Sequence, residues 1–215
     1  MILLIGWRGH DQKDEPQHNL QGKITRNLLK LLNIKYCELK NKNDLKKINF
    51  LIKLSKKNSS PVAILVKKSN IFERENIIRE EKHDLIRSFV IEELLKKISK
   101  NTKIISSTGY TSRELNQIRA IKKLSSGKDF YLVGGMGHTS SVSTGVSQFS
   151  KGQVICLDGD GSLIMHLGSL INAGFSNKKN YKHILLNNGS HESVGGQKIN
   201  TAKINFKNTV KSFGF

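Results

Sequence analysis

The strongest constraint on the fold is a regular alternation of short apolar runs with segments of helical periodicity. In the first third of the chain, the runs at 1–5, 34–40 and 61–69 are separated by helix-like segments at 23–33 and 43–58. Parallel strands need a long crossover connection, and a helix usually supplies it. The order strand–helix–strand–helix–strand therefore predicts a parallel sheet flanked by helices.

Local signals add detail to this first unit. The first helix is expected to be amphipathic, with an apolar face made of Ile24, Leu28, Leu31 and Leu32. Asn43 or Asp44 is expected to cap the second helix. Trp7 and Arg8, in the polar loop at 6–18, either line a ligand cleft or pack within the loop.

From residue 84 onward the alternation continues. The expected helices lie at 84–100, 112–122, 138–149 and 162–175, and the expected strands at 102–109, 130–134, 153–160 and 181–188. The charged segment at 70–82 is interpreted as a linker, and a short final helix follows Lys207. We therefore expect two α/β domains, residues 1–80 and 81–215. Sheets with so few strands leave apolar edges, so the chain is expected to be a piece of a longer protein.

Composition narrows the function classes. The formal net charge of +19 comes mostly from scattered lysines, and only 7% of residues are aromatic, which argues against a dedicated nucleic-acid surface. The charge does suit anionic ligands. No apolar run approaches the roughly 18 residues of a membrane span, so a cytoplasmic protein is expected. Cys37 and Cys156 lie far apart and are expected to be free thiols.

Glycine-containing segments follow four consecutive strands of the second unit. They are STGYTSREL at 107–115, VGGMGHTSS at 133–141, LDGDGSLIMH at 157–166 and LNNGSHESVGG at 186–196. Ligands of open α/β sheets bind beyond the carboxyl ends of the strands. The four segments are therefore expected to form one shared site.

Asp160 is the most specific candidate for metal binding. The glycines on either side let the backbone approach a ligand closely, and Ser162 begins a helix whose free N–H groups suit a phosphate. Asn188 follows the next strand and offers an amide oxygen, with the carbonyl of Ser190 two residues later. With phosphate oxygens, these groups match the all-oxygen shell that Mg²⁺ prefers. The alternative is a pair of turns stabilised by Asp and Asn side chains.

The sequence GDGS at 159–162, followed by NN at 187–188, resembles the signature of thiamine-diphosphate-dependent enzymes. Within them, the four segments and IGWRGHDQKDEPQH near the start are similar to the phosphonopyruvate decarboxylases over nearly the whole chain. The resemblance implies a thiamine-diphosphate-binding fold with parallel sheets and flanking helices. Residues 1–80 would be the C-terminal part of the pyrimidine-binding domain with its linker, and residues 81–215 most of the diphosphate-binding domain.

The resemblance also implies contacts to thiamine diphosphate and Mg²⁺. Asp160 and Asn188 would bind Mg²⁺ through their side chains, and Ser190 through its carbonyl. The residues expected around the diphosphate end are Gly109, Tyr110, Thr111, Gly161 and Ser162. Gly134 would accept a hydrogen bond from the aminopyrimidine ring through its carbonyl. Met136 would be the apolar wedge that bends the cofactor, although Met is also a common core filler.

Basic side chains beside the expected site are candidates for contacts with the substrate. His138 and His191 would meet its anionic groups or transfer protons. Arg113 is expected to hold an anion, with a surface ion pair as the alternative. His166 lies one turn inside its helix and is interpreted as structural.

The activity implied is decarboxylation of 3-phosphonopyruvate to phosphonoacetaldehyde and CO₂, a step of phosphonate biosynthesis. Sulfopyruvate decarboxylase is the nearest alternative, since its motifs are similar and its substrate is another small anionic 2-oxo acid. The family has an activating glutamate in the first half of the pyrimidine-binding domain. No residue of this chain corresponds to that glutamate. A fragment that binds the cofactor without turnover is therefore a third interpretation. The resemblance also implies a homo-oligomer whose subunits share cofactor, with no nucleic-acid or membrane partner.

Overall fold

A computed structural model of the chain describes residues 1–10, 14–67, 85–124, 128–176 and 178–215. The chain divides into two compact units, Met1–Glu80 and Glu81–Phe215. Each contains a parallel sheet with helices, which confirms the predicted α/β class. Within the described residues, no helix is long and apolar enough to cross a membrane.

The first unit is a three-stranded parallel sheet with the order β1-β3-β2. Its strands are β1 (Ile2–Gly6), β2 (Lys35–Leu39) and β3 (Val62–Val66), and its helices are α1 (Asn19–Leu31) and α2 (Leu45–Asn58). All five residues of the central strand β3 are buried. A strand covered on both faces needs apolar side chains in both directions, which explains the uninterrupted run VAILV.

The loop after β1 is held by packing and hydrogen bonds. The indole of Trp7 is buried, and its Nε1–H donates to the Gly22 carbonyl at 2.9 Å, while the Arg26 guanidinium lies 4.6 Å from the ring centroid. Arg8 pairs with the Asp14 carboxylate through Nε at 2.6 Å and Nη2 at 2.5 Å. The structure therefore favours loop packing over the cleft-lining interpretation of Trp7 and Arg8.

Helix α1 turns a different face to the sheet than its apolar pattern predicts. Its buried residues are Gly22 and Leu29. The leucines predicted to face the core are exposed: Leu28, Leu31 and Leu32. The cause is the close contact of Gly22 with the backbone of Gly9, which sets the rotation of the helix about its axis.

The start of α2 also differs from the expectation. A short 3-10 turn at Lys42–Asp44 precedes the helix, and the Asn41 side chain caps it by accepting from the Asn43 N–H at 2.9 Å. Asp44 closes this capping box, because its carboxylate accepts from the N–H groups of Lys40 at 2.9 Å and Asn41 at 3.2 Å. The hydrogen bond from Lys40 is the main cause that lowers the pKa of Asp44 to about 2.

This capping box predicts an acid-sensitive first unit. The pKa of Asp44 lies near 2 in the fold, below its usual 3.8, so the unfolded chain takes up a proton first as the pH falls. The contribution of Asp44 is therefore expected to be complete above pH 4 and to be lost between about pH 4 and pH 2. Urea unfolding at a series of pH values, followed by Trp7 fluorescence, measures the free energy of unfolding of the first unit and its dependence on pH. An Asp44→Asn variant with the same pH slope as the wild type would contradict the assignment.

The second unit has a four-stranded parallel sheet with the order β5-β4-β6-β7. Its strands are β4 (Lys103–Ser106), β5 (Phe130–Tyr131), β6 (Val154–Gly159) and β7 (Tyr181–Leu186), and the first helices are α3 (Arg87–Lys97), α4 (Tyr110–Ile121) and α5 (Thr139–Phe149). The chain leaves β4 toward β5 and then returns to β6 on the other side. The direction of winding thus reverses between β4 and β6, where open α/β sheets bind their ligands.

The two faces of this sheet differ in chemistry. The face toward α3 and α4 carries an aliphatic cluster of Ile91, Ile104, Leu115, Ile155 and Leu157. The opposite face mixes apolar and ligating side chains, namely Ile105, Val154, Cys156, Asp158, Tyr181 and His183. Burial raises the pKa of Asp158 to about 6 and lowers that of His183 to about 4.

Several boundaries in the second unit differ from the expectation. The helix expected at 162–175 is divided into α6 (Asp160–Met165) and α7 (Ser169–Phe175), because the backbone leaves the helical region at His166, whose ring stacks on His138 with centroids 4.4 Å apart. An antiparallel pair, β8 (Ser190–His191) with β9 (Gln197–Lys198), was not expected. The last helix is α8 (Phe206–Ser212). The expected linker at 70–82 lies outside the described residues.

Candidate functional site

Three of the four glycine-containing segments meet through hydrogen bonds at the carboxyl end of the second sheet. The Gly189 N–H donates to Asp160 Oδ2 at 3.0 Å, which joins the segments after β6 and β7. The Gly137 N–H donates to Ser162 Oγ at 3.1 Å, which joins the segment after β5 to the same place. These contacts lie at the point where the direction of winding reverses.

The fourth segment joins them through the Ser193 side chain, which lies against Gly109. Gly109 has a φ of +93°, and a side chain there would meet the Ser193 hydroxyl at 2.6 Å. A side chain on Gly161 would likewise meet the His191 ring at 2.6 Å. Thr111, in the first turn of α4 next to Gly109, is also buried. Glycine is thus required where these loops touch.

Asp160 is the centre of this arrangement. It is only 2% exposed, and its Oδ2 also accepts from the Thr201 hydroxyl at 2.7 Å. The Thr201 oxygen lies 3.2 Å from Oδ1 of Asn187 as well. Sequence reasoning missed Thr201, because it lies 41 residues after Asp160 in a segment without a recognisable motif.

Asn188 and Ser190 form a turn beside this carboxylate. Oδ1 of Asn188 accepts from the Ser190 N–H at 3.2 Å, and its Nδ2 donates to Glu192 at 3.3 Å. The turn interpretation is therefore correct for Asn188, and it is compatible with metal binding. Asp160 offers a carboxylate, Asn188 an amide oxygen and Ser190 a main-chain carbonyl, and such an oxygen-only donor set would fit Mg²⁺.

The segment after β5 depends on two glycines with left-handed backbones, Gly134 at φ +73° and Gly137 at φ +89°. Met136 between them is half-buried and joins none of the buried apolar clusters of the described residues, which disfavours the core-filler interpretation. His138 is exposed and stacks on His166. His166 thus supports the position of His138.

Two arginines lie beside the Tyr110 ring. The guanidinium carbons of Arg87 and Arg113 are 5.6 Å and 5.8 Å from its centroid. Arg113 is exposed and forms no ion pair within the described residues. Arg87, which sequence reasoning missed, bridges Glu114 at 2.5 Å and Glu192 at 2.9 Å. It connects α3, α4 and the loop after β7.

Sequence similarity to curated proteins extends over both units of the chain. Over the whole chain, the sequence is 28% identical to the phosphonopyruvate decarboxylases of Streptomyces viridochromogenes and Streptomyces hygroscopicus, and it spans 57% of their length. Over 58% of the chain, it is 33% identical to the sulfopyruvate decarboxylase subunit beta of Methanocaldococcus jannaschii, of which the match covers 64%.

A known protein family matches most of the second unit. Residues 107–214 match the family described as the thiamine pyrophosphate enzyme, C-terminal TPP binding domain. The match begins at the first glycine-containing segment and includes all four, together with Thr201. Thiamine pyrophosphate, also called thiamine diphosphate, is thus the cofactor of the matching domain. The chain belongs to the thiamine pyrophosphate enzyme family.

Proposed function

We propose that the complete protein containing this chain decarboxylates 3-phosphonopyruvate to phosphonoacetaldehyde and CO₂, a step of phosphonate biosynthesis. The observation that carries the proposal is the convergence of the four glycine-containing segments around the buried carboxylate of Asp160. The relatives that match over the whole chain act, by name, on phosphonopyruvate. The first unit would belong to the pyrimidine-binding domain, and the second to the diphosphate-binding domain.

The chain would hold thiamine diphosphate and Mg²⁺ through the segments after β4, β6 and β7. Asp160 and Asn188 would bind Mg²⁺ through side-chain oxygens, and Ser190 through its carbonyl. Gly161 and Ser162 would contact the diphosphate, with the segment 109–111 at the same strand end. Thr201 and the Gly189 N–H orient the Asp160 carboxylate, because both donate to its Oδ2.

Residues after β5 would position the organic part of the cofactor. Gly134 would accept a hydrogen bond through its carbonyl, and Met136 would set the bend of the molecule. When bound, thiamine diphosphate supplies a carbon nucleophile and an electron sink for the loss of CO₂. The protein's part is to orient the substrate and to exclude water.

Basic side chains would receive the anionic substrate. Arg113 is the candidate for the phosphonate, since its guanidinium is exposed and unpaired within the described residues. His191 lies against Gly161 and His138 stacks on His166, so both imidazoles are held beside the expected cofactor position. These histidines would hold the substrate carboxylate or move a proton.

Subunit partnership is part of the proposal. Relatives named as a beta subunit suggest that a chain of this kind works with a second polypeptide or a second copy. The exposed leucines of α1 are compatible with such a contact. We therefore expect the active protein to be an oligomer.

Sulfopyruvate decarboxylation is the second candidate. The matches to sulfopyruvate decarboxylase subunits have the higher identity, up to 35%, but they cover only about half of the chain. Both substrates are small anionic 2-oxo acids, and they differ in the charge and hydrogen-bonding capacity of the terminal group. A phosphonate dianion would gain more from Arg113 than a sulfonate monoanion.

Steady-state CO₂ release from the two acids tests the proposal on the complete protein, with thiamine diphosphate and Mg²⁺ in excess. We expect kcat/KM for 3-phosphonopyruvate to exceed that for sulfopyruvate by at least about 10-fold, or ~1.4 kcal/mol. Arg113→Met should raise KM for phosphonopyruvate more than it lowers kcat. A preference for sulfopyruvate would overturn the substrate assignment. Cofactor binding without CO₂ release from either acid would instead identify a binding module.

A further inference from the structure

The face of the second sheet opposite α3 and α4 carries a cluster of ligating side chains that the proposed function does not use. Cys156 and His183 are register partners on the adjacent parallel strands β6 and β7. Asp158 follows Cys156 by two residues, so its side chain emerges on the same face. One ligand atom from each of the three side chains lies within 4.8 Å of the other two.

The spacing of these atoms matches a tetrahedral metal site. Cys156 Sγ lies 3.8 Å from His183 Nε2. Zinc–sulfur and zinc–nitrogen bonds at tetrahedral angles place the two ligand atoms about 3.5 Å apart. A metal ion would therefore fit between them with little movement of either side chain.

The imidazole of His183 is oriented as in metal sites. Its Nδ1 lies 3.0 Å from the Tyr181 hydroxyl, and its Nε2 is the nitrogen that faces Cys156. A proton on Nδ1, donated to Tyr181, leaves the Nε2 lone pair for a metal. Ligating histidines are commonly fixed by such a hydrogen bond on their second nitrogen.

The buried carboxylate of Asp158 also favours a cation beside this cluster. The residue is 1% exposed, and its Oδ1 accepts from the Gly159 N–H at 3.0 Å. Its Oδ2 is buried and has no hydrogen bond of good geometry among the described residues, although the hydroxyls of Thr139 and Ser162 lie close to the carboxylate. Leaving a buried carboxylate oxygen unpaired is costly, and a cation beside it would remove that cost.

We propose that Cys156, Asp158 and His183 bind a divalent metal ion of the zinc class, independent of the Mg²⁺ site at Asp160. A thiolate, a carboxylate and a neutral imidazole balance the two positive charges. Thiolate and imidazole ligands select Zn²⁺ over Mg²⁺, whereas the oxygen-only groups around Asp160 favour the reverse. The metal would cross-link β6 to β7 directly below the loop that carries Asp160. His183 is half-buried, whereas Cys156 and Asp158 are buried.

Cobalt substitution tests this site on the complete protein, produced with Co²⁺ in place of Zn²⁺ and purified with excess Mg²⁺ to occupy the Asp160 site. We expect stoichiometric cobalt and a thiolate-to-cobalt charge-transfer absorption in the near ultraviolet. Cys156→Ser should abolish the absorption, and His183→Gln should lower the cobalt content at least about 10-fold. Cys37→Ser is the matched control, since that cysteine lies in the first unit.

The wild type and Cys37→Ser decide the question even if a variant in the cluster fails to fold. Absence of the absorption from the wild type would overturn the proposal, and so would its persistence in folded Cys156→Ser or its loss in Cys37→Ser. Asp160→Asn should keep the absorption while losing Mg²⁺-dependent cofactor binding. The assignments of the two metal sites can thus be refuted independently of each other.

Discussion

Asp160→Asn is expected to abolish Mg²⁺-dependent binding of thiamine diphosphate while leaving the fold intact. The carboxylate is buried, and removing its charge weakens metal attraction where water screens poorly. The asparagine carbonyl can still accept the hydrogen bonds from Gly189 and Thr201 that connect the loops. Only the negative charge that attracts the metal is then lost.

Calorimetric titration with the cofactor at saturating Mg²⁺ measures this effect. Because loss of a residue that only orients a ligand costs about 10- to 100-fold in metal affinity, loss of the charge of the ligand itself should cost at least about 100-fold. Thr201→Val, which removes one orienting hydrogen bond, should show a smaller loss of about 10-fold. Cys156→Ser, within strand β6, should leave the cofactor affinity unchanged. Unaltered affinity in Asp160→Asn would refute the role of Asp160.

Gly22→Ala is expected to cause a large loss of stability in the first unit. An added methyl group would lie 2.2 Å from the carbonyl carbon of Gly9 and 2.3 Å from its oxygen. These are backbone atoms, and the Gly22 carbonyl also accepts the Trp7 indole N–H. The helix would have to move away from the loop, at a cost of about 3 kcal/mol or more.

The sign of this effect distinguishes tertiary contact from helix propensity. Alanine is better than glycine inside a helix by about 1 kcal/mol, so propensity alone predicts that Gly22→Ala stabilises α1. Trp7 is the sole tryptophan of the chain, and its fluorescence during urea unfolding reports on the first unit. Gly6→Ala is the control, because nothing lies within 4 Å of its added methyl group. A Gly22→Ala variant as stable as Gly6→Ala would show that the Gly9 contact is not limiting.

The sequence was sufficient for the sheets and for the place of the site. Runs such as VAILV and VICL are apolar at every position because parallel strands are covered on both faces. The glycines at 109, 137 and 161 mark points where a side chain of another segment lies against the backbone, and the Gly137 and Gly189 N–H groups donate to Ser162 and Asp160. The four segments therefore converge as expected.

Other features depended on which residues meet across the fold. Thr201 reaches Asp160 over 41 residues, and Arg87 reaches Glu192 over 105, and neither residue type is distinctive in its own segment. Helix α1 has an apolar stripe that predicts the wrong buried face, since the Gly22–Gly9 contact decides its rotation.

The sequence by itself determined the α/β alternation, the strand ends that carry the site and the family resemblance, because each depends on local periodicity or on residues close together in the chain. Only the tertiary structure decided which face of α1 is buried, which residues orient Asp160, and that Cys156 lies opposite His183 across β6 and β7. Register and helix rotation depend on the packing of many side chains at once. No single segment of the sequence therefore encodes them.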